Sequence, residues 1–427
     1  MQSKELSYVP GLQGCAAFWM TVAQGSAEGF YTAMSGFYIA QFGSDSFFIS
    51  MLLCLMAPKP IMSMLQQSFD AFFDKWFSTE VTYAFRVILM QLSLAAVVLA
   101  WIFSASTQAV VLVIGLLVGI LGSSIISSSL QMASAMAPDL ILNAKIGFSI
   151  GGMAPVLVIR WTGFGPESPR SLFQKQLITV VAISTLAAGI LGIFHIRSDI
   201  FTKAYKRLAY DLNPTHQSSS ERASESDRLV QSDDTDFFLT SGQTMVQQSS
   251  VTRGLDPAAK DGVPAWVQYW QFAIFFMSSI SMGLLSTAGF FKGAADAQRL
   301  SLLKLLMELM GRVLAMAVPL FPSFEEGPFH KVMATSVLLV FCFSGLCFAN
   351  LSRDCVPGAI FSLLWCGVFA LSIFATSLAD VTTGAYIEVR DRKAVARTNQ
   401  KVTVSAYLFG LVISEIMSNL ARESPKL

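Results

Sequence analysis

Apolar residues fall along the chain in runs of about twenty, broken by short polar stretches. A run of that length is what a helix rising 1.5 Å per residue needs to cross a hydrocarbon layer roughly 30 Å thick. The runs lie at about 13–36, 47–69, 83–104, 109–135, 141–162, 176–196, 265–290, 300–321, 329–350, 358–388 and 400–421. The pattern predicts an all-α polytopic membrane protein with about 11 transmembrane helices. The tenth run is long enough to tilt or to hold an interfacial turn near Asp380.

The polar gap between the sixth and seventh runs is far longer than the others. It is rich in Ser, Asp, Glu and Gln, and Ser218–Ser224 and Gln231–Thr235 hold too few apolar residues to build a core. The expected organisation is a six-helix N-terminal half at 1–196, a disordered linker at 197–263 and a five-helix C-terminal half at 264–427. Positive charge orients it. The short loop between the last two runs carries Arg390, Arg392, Lys393, Arg397 and Lys401, and short loops rich in Lys and Arg stay on the cytoplasmic side. By parity the N-terminus and the long linker are then cytoplasmic as well, with Arg160, Arg170 and Lys175 left on the opposite side.

Composition agrees. Hydrophobic residues make up 53% and charged residues only 13%, against about a quarter charged in soluble domains. A net charge of +1 points to no particular partner, and no nucleic-acid partner is expected. Of the six cysteines, five sit in or beside apolar runs as small packing residues, and none forms a CxxC pair. Only His195, His216 and His330 are present, none near a carboxylate at ligand spacing, so no metal or cofactor is expected. No cleavable leader pattern opens the chain. In the linker, Glu225 to Val230 nearly matches an acidic dileucine sorting signal. Asn350-Leu-Ser352 forms a glycosylation sequon beside a membrane helix, a position expected to leave it unused.

Charges inside the runs are the informative exceptions. Lys304, Glu308 and Arg312 follow one another at four-residue spacing, so each step turns about 40° and the three share one narrow helix face. An unpaired charge at the bilayer centre costs roughly 2.5–3.5 kcal/mol on insertion scales. These three either form a structural salt bridge that locks helix packing or line a polar transport pathway. Glu28 follows Gln24 and Ser26 on a polar stretch of the first run and can pair with Lys59 of the second. Lys59 lies between Pro58 and Pro60, which free backbone carbonyls and kink that helix. In the fourth run, Ser123, Ser124, Ser127, Ser128 and Ser129 either bond back to their own carbonyls or coat a polar cavity. Gly115, Gly119 and Gly122, then Gly147, Gly151 and Gly152, let helices approach closely. Asp380 and Glu415 are further candidates.

Six helices, a long polar linker and five helices resemble the equilibrative nucleoside transporters. That family carries Asp-x-x-Gly-Arg in its eighth helix, and Glu308-Leu-Met-Gly311-Arg312 has the same spacing with Glu for Asp. Trp266–Phe291 is similar to the Phe/Leu-rich span before that motif. Ser129-Leu130, Pro138 and Gly147, Gly151 and Gly152 resemble its Ser-Leu, Pro and Gly-x-Gly succession, and Gly384-Ala-Tyr386 its Asn-Gly-Tyr. The small residues around Gly410 and Ser418 resemble its eleventh helix. The family's Trp-Asn in the first helix is absent, and its nucleobase-binding Gln in the fourth is replaced near Ser127 and Ser128.

The resemblance implies a major-facilitator-like 6+5 arrangement around a central cavity, with the halves rocking about a midplane site. It implies a multi-pass carrier of nucleosides or nucleobases, not an enzyme, working as a monomer in the plasma membrane or an endomembrane. Transport would be facilitative. The alternative is a proton-coupled carrier of another small polar solute, with Glu28 or Glu308 as the proton site. Arg312 would bond ribose hydroxyls or a base edge with Glu308 holding it, while Gln24, Glu28, Ser127 and Ser128 would supply contacts from the other half.

Overall fold

The computed structural model describes residues 10–42, 47–104, 107–137, 140–165, 168–197, 199–210, 265–287, 294–317 and 326–353, with parts of 363–378 and 402–420. Among them every regular element is helical. Asp380, Glu415, Gly384–Tyr386, the basic loop at 390–401 and the serine-rich core of the linker lie outside the described residues.

The first apolar run forms α1 (Pro10–Ala33) and, after a break at Met34, α2 (Ser35–Phe42). The second run is divided into α3 (Phe47–Met56) and α4 (Pro58–Trp76). Ala57 is the joint, and Pro58 occupies the first helical position of α4, where a missing N–H is tolerated. The third span is α5 (Thr79–Ala84), a π-helical turn (Phe85–Leu89) and α6 (Met90–Phe103), its start capped by Ser78 Oγ accepting from the Val81 amide. Then come α7 (Gln108–Met136), α8 (Leu140–Trp161) and α9 (Arg170–Ile196). Among the described residues, four segments are long and apolar enough to cross a membrane: Thr79–Phe103, α7, α8 and α9. α9 begins six residues before the apolar run at 176, because the polar turn Arg170–Lys175 is helical too.

A short helix, α10 (Asp199–Tyr210), occupies the first part of the segment expected to be a disordered linker. It buries Phe201, Ala204, Tyr205 and Leu208 on one face, against Met132, Met136 and Leu191. Tyr205 hydroxyl lies 3.1 Å from His195 Nδ1, tying the helix to the end of α9. Burial and the nearby Glu80 carboxylate push the Tyr205 phenol well above its ordinary pKa, so it stays protonated as a hydrogen-bonding group. The disorder reading fails here because an i, i+3, i+4, i+7 apolar face is present from the start of the segment. The rest of the linker, 211–263, is outside the described residues.

α1 is the axis of the N-terminal half. Nearly every residue from Met20 to Tyr31 is buried, as expected of a helix enclosed on all sides. It runs closest to α8, and small residues on both make that possible. A Cβ on Gly29 would stand 2.6 Å from Gly152 Cα, and Cβ atoms on Gly25, Gly147 and Gly151 would strike the carbonyl oxygens of Phe148, Phe18 and Val22. Thr21 hydroxyl donates to the Ala144 carbonyl across the same seam.

Two apolar cores fill the half, one toward each end of the bundle. One gathers Phe30, Tyr31, Tyr38, Trp101, Phe173 and Val118, with Trp101 Nε1 donating to Tyr38 hydroxyl at 2.8 Å. The other gathers Ala16, Met20, Tyr83, Met132, Leu140 and Leu208. Between them α1 contributes Gln24, Ser26 and Glu28, and α7 contributes Ser123, Ser124, Ser127, Ser128, Ser129 and Gln131. That polar band crosses the middle of the bundle.

In the C-terminal half, α11 (Ala265–Thr287) packs on α13 (Glu326–Arg353), with Trp270 Nε1 donating to His330 Nδ1 at 2.9 Å. Ile274, Met333, Ala375 and Leu378 form their shared core. α12 (Ala294–Ala317) instead packs across to the N-terminal half, against α8, α2 and α1. Leu305 of α12 joins the core of that half.

Candidate functional site

The polar band holds two charged clusters. The first lies where the broken second span meets α1 and α7. Lys59, two residues after the joint, places Nζ 2.8 Å from Glu28 Oε2, and Gln24 Nε2 donates to Glu28 Oε1 at 2.8 Å. Glu28 is 4% exposed, so its charge is stabilised by these two donors rather than by solvent. α7 makes room for them. A Cβ on Gly122, the central residue of that 29-residue helix, would sit 2.8 Å from Glu28 Oε1 and 3.2 Å from Gln24 Cγ. One turn earlier, a Cβ on Gly119 would meet Pro58 Cγ at 3.2 Å. Ser123 Oγ donates to the Lys59 carbonyl at 3.1 Å, covering backbone polarity at the helix break.

The second cluster joins the halves. On α12, Glu308 lies between Lys304 (Nζ to Oε1, 3.8 Å) and Arg312 (Nη2 to Oε2, 3.7 Å). Those separations are ion pairs too long to be hydrogen bonds, and Glu308 Oε2 accepts no hydrogen bond among the described residues. Arg312 spends its donors on α8: Nη1 reaches both the Lys145 carbonyl oxygen and Ser149 Oγ, and the guanidinium lies 5.5 Å from the centre of the Phe148 ring. Ser149 is fully buried near the middle of α8.

The structure therefore brings Gln24 and Glu28 together, and separately Glu308 and Arg312. No described hydrogen bond or ion pair links the two clusters; the close-packed α1–α8 pair stands between them. Ser127 and Ser128 are buried further along α7, where Ser128 Oγ accepts from Gln66 Nε2 at 3.2 Å. Ser129 and Gln91 both donate to the Met20 carbonyl, at 3.1 and 2.8 Å, and Tyr83 hydroxyl donates to Gln131 Oε1 at 2.6 Å. Sequence reasoning passed over Lys145, Phe148 and Ser149. Lys145 is a charge within an apolar run and could have been flagged as such; the other two carry no signal apart from their neighbour.

No protein-family model matches this chain, and no curated protein does. Solved structures do. A proton:xylose symporter of the major facilitator superfamily, XylE, bound to 6-bromo-6-deoxy-D-glucose, superposes with a TM-score of 0.56 at 12% identity, over 96% of this chain and 89% of that one. The xylose transporter XylE from E. coli in a partially occluded inward-open conformation gives 0.54 at 13%, over 96% and 97%. The nucleoside transporter NupG gives 0.52 at 13%, over 95% and 91%. At such identities the likeness is one of fold: this chain has the all-helical fold of the major facilitator proteins.

Proposed function

We propose, for a chain with the all-helical major facilitator fold, that it is an integral membrane carrier of nucleosides or nucleobases, facilitative and working by alternating access. The observation that carries this reading is the Arg312 contact. A guanidinium on α12 of the C-terminal half holds a serine hydroxyl and a carbonyl on α8 of the N-terminal half, near the middle of α8. A cation bonded across two halves that rock must release those partners on one side of the cycle, and a polar solute is a fitting replacement. Arg312 also has the planar fork that suits hydroxyl pairs and base edges, and the Phe148 ring beside it offers a face for stacking. The Glu308-x-x-Gly-Arg312 spacing and the NupG likeness support nucleosides as the solute class.

The Glu28–Lys59 pair favours one second reading, a proton-coupled carrier of another small polar solute. A carboxylate this buried, with a cation as partner, can exchange that partner for a proton when the helices separate. Two of the matched structures are of a proton:xylose symporter and a xylose transporter.

Uptake of labelled adenosine, uridine and hypoxanthine into liposomes holding the purified protein tests both, run with and without an inward proton gradient. Saturable uptake that ignores the gradient and is abolished by Arg312→Ala is expected. Concentrative uptake only under the gradient selects the proton-coupled reading. Undiminished uptake by correctly inserted Arg312→Ala protein removes Arg312 from the site.

A further inference from the structure

We infer that Gln24 and Lys59 form a subsite for a neutral, hydroxyl-bearing solute, and so that the chain takes nucleosides, through their sugar hydroxyls, in preference to free bases. The inference rests on the reading of the chain as a carrier. It starts from an atom without a partner. Gln24 is 1% exposed, and among the described residues its Oε1 accepts no hydrogen bond while its Nε2 donates to Glu28. The carboxylate decides which way the amide faces, because an amide oxygen turned toward Glu28 would meet another acceptor. The acceptor left over is enclosed, and a buried acceptor left unmet costs free energy that a ligand's donor would recover.

Lys59 supplies the complementary half. Its ammonium has three N–H donors, and Glu28 Oε2 is the partner it has among the described residues. The pair of groups thus offers an unfilled acceptor and unspent donors on either side of one carboxylate. A phosphate or carboxylate ligand would face Gln24 Oε1 and Glu28, and a cation would face Lys59. A hydroxyl both donates and accepts, so adjacent hydroxyls on a sugar meet both needs at once. The position fits as well: the cluster lies against Gly122 at the middle of α7 and beside the break in the second span, where backbone is expected only if it lines protein or a cavity.

The test uses full-length protein in liposomes and three probes: labelled uridine, 2′,3′-dideoxyuridine and uracil. For the unaltered chain, saturable uridine uptake is expected, with kcat/KM at least about tenfold above that for dideoxyuridine and for uracil, the scale of one or two unmatched hydrogen bonds to a buried group. In Gln24→Met, which removes the acceptor and keeps the side chain's length, the preference for uridine over dideoxyuridine falls about tenfold. A Gln24→Met protein that inserts and keeps the full preference overturns the subsite while leaving the carrier reading intact. So does wild-type protein that carries uracil or dideoxyuridine as well as uridine, and this arm needs no variant. Wild-type protein that carries none of the three overturns the nucleoside reading and this inference with it.

Discussion

Lys59 and Glu28 show how single residues are held in this interior. Each charge is affordable in a low-dielectric band only while the other is present, so removing one leaves a buried, uncompensated ion at a cost of about 3–5 kcal/mol. Lys59→Met alone should therefore lower the thermal unfolding midpoint in detergent sharply, and Lys59→Met with Glu28→Gln should recover most of it. A double variant no more stable than the single would mean that the two charges are not coupled. The pairing was legible in the sequence as opposite charges in neighbouring apolar runs. The contacts of Arg312 were not. Which residues of α8 face α12 depends on how helices pack, and Ser149 reads like any serine in a membrane helix. Nor could the sequence show the unmet oxygen of Gln24, because hydrogen-bond satisfaction is a property of geometry.

At the scale of elements, the α1–α8 seam positions both clusters, and glycine makes it. The same substitution at two helical glycines separates packing from propensity. Gly151→Ala would drive a methyl into the Val22 carbonyl, a backbone atom that cannot swing aside, and should cost about 1–3 kcal/mol or more. Gly189→Ala on the exposed face of α9 meets nothing within 4 Å and should be neutral or slightly stabilising. Equal unfolding midpoints for the two would contradict the close approach of α1 and α8. Apolar periodicity located these helices well, since length and hydropathy alone decide whether a segment can span. It was less informative at their ends. The break at Ala57 was announced by Pro58 and Pro60, and α10 carries an apolar face that the polar composition of the segment hides, whereas the π-helical turn at Phe85–Leu89 has no such signal. The small-residue spacing was visible too, but any helical bundle can show it, and only the partner helix reveals its use.

Across the whole molecule, the N-terminal half encloses a polar band between two apolar cores, and α12 of the other half reaches into it. The proposed alternating access would use that layout, with packed ends moving as units and the polar contacts between halves exchanging. The all-helical class was readable from the apolar runs, while the likeness to solved major facilitator structures at 12–13% identity fixes the fold and leaves the solute to experiment. Counterflow tests the carrier claim most directly. Liposomes containing the protein are loaded with excess unlabelled uridine and diluted into a trace of labelled uridine. A carrier whose single site faces each side in turn will draw label in above its equilibrium level, transiently, and Arg312→Ala will abolish that overshoot. Label that rises only to equilibrium, without overshoot and in proportion to concentration, would contradict alternating access in this protein.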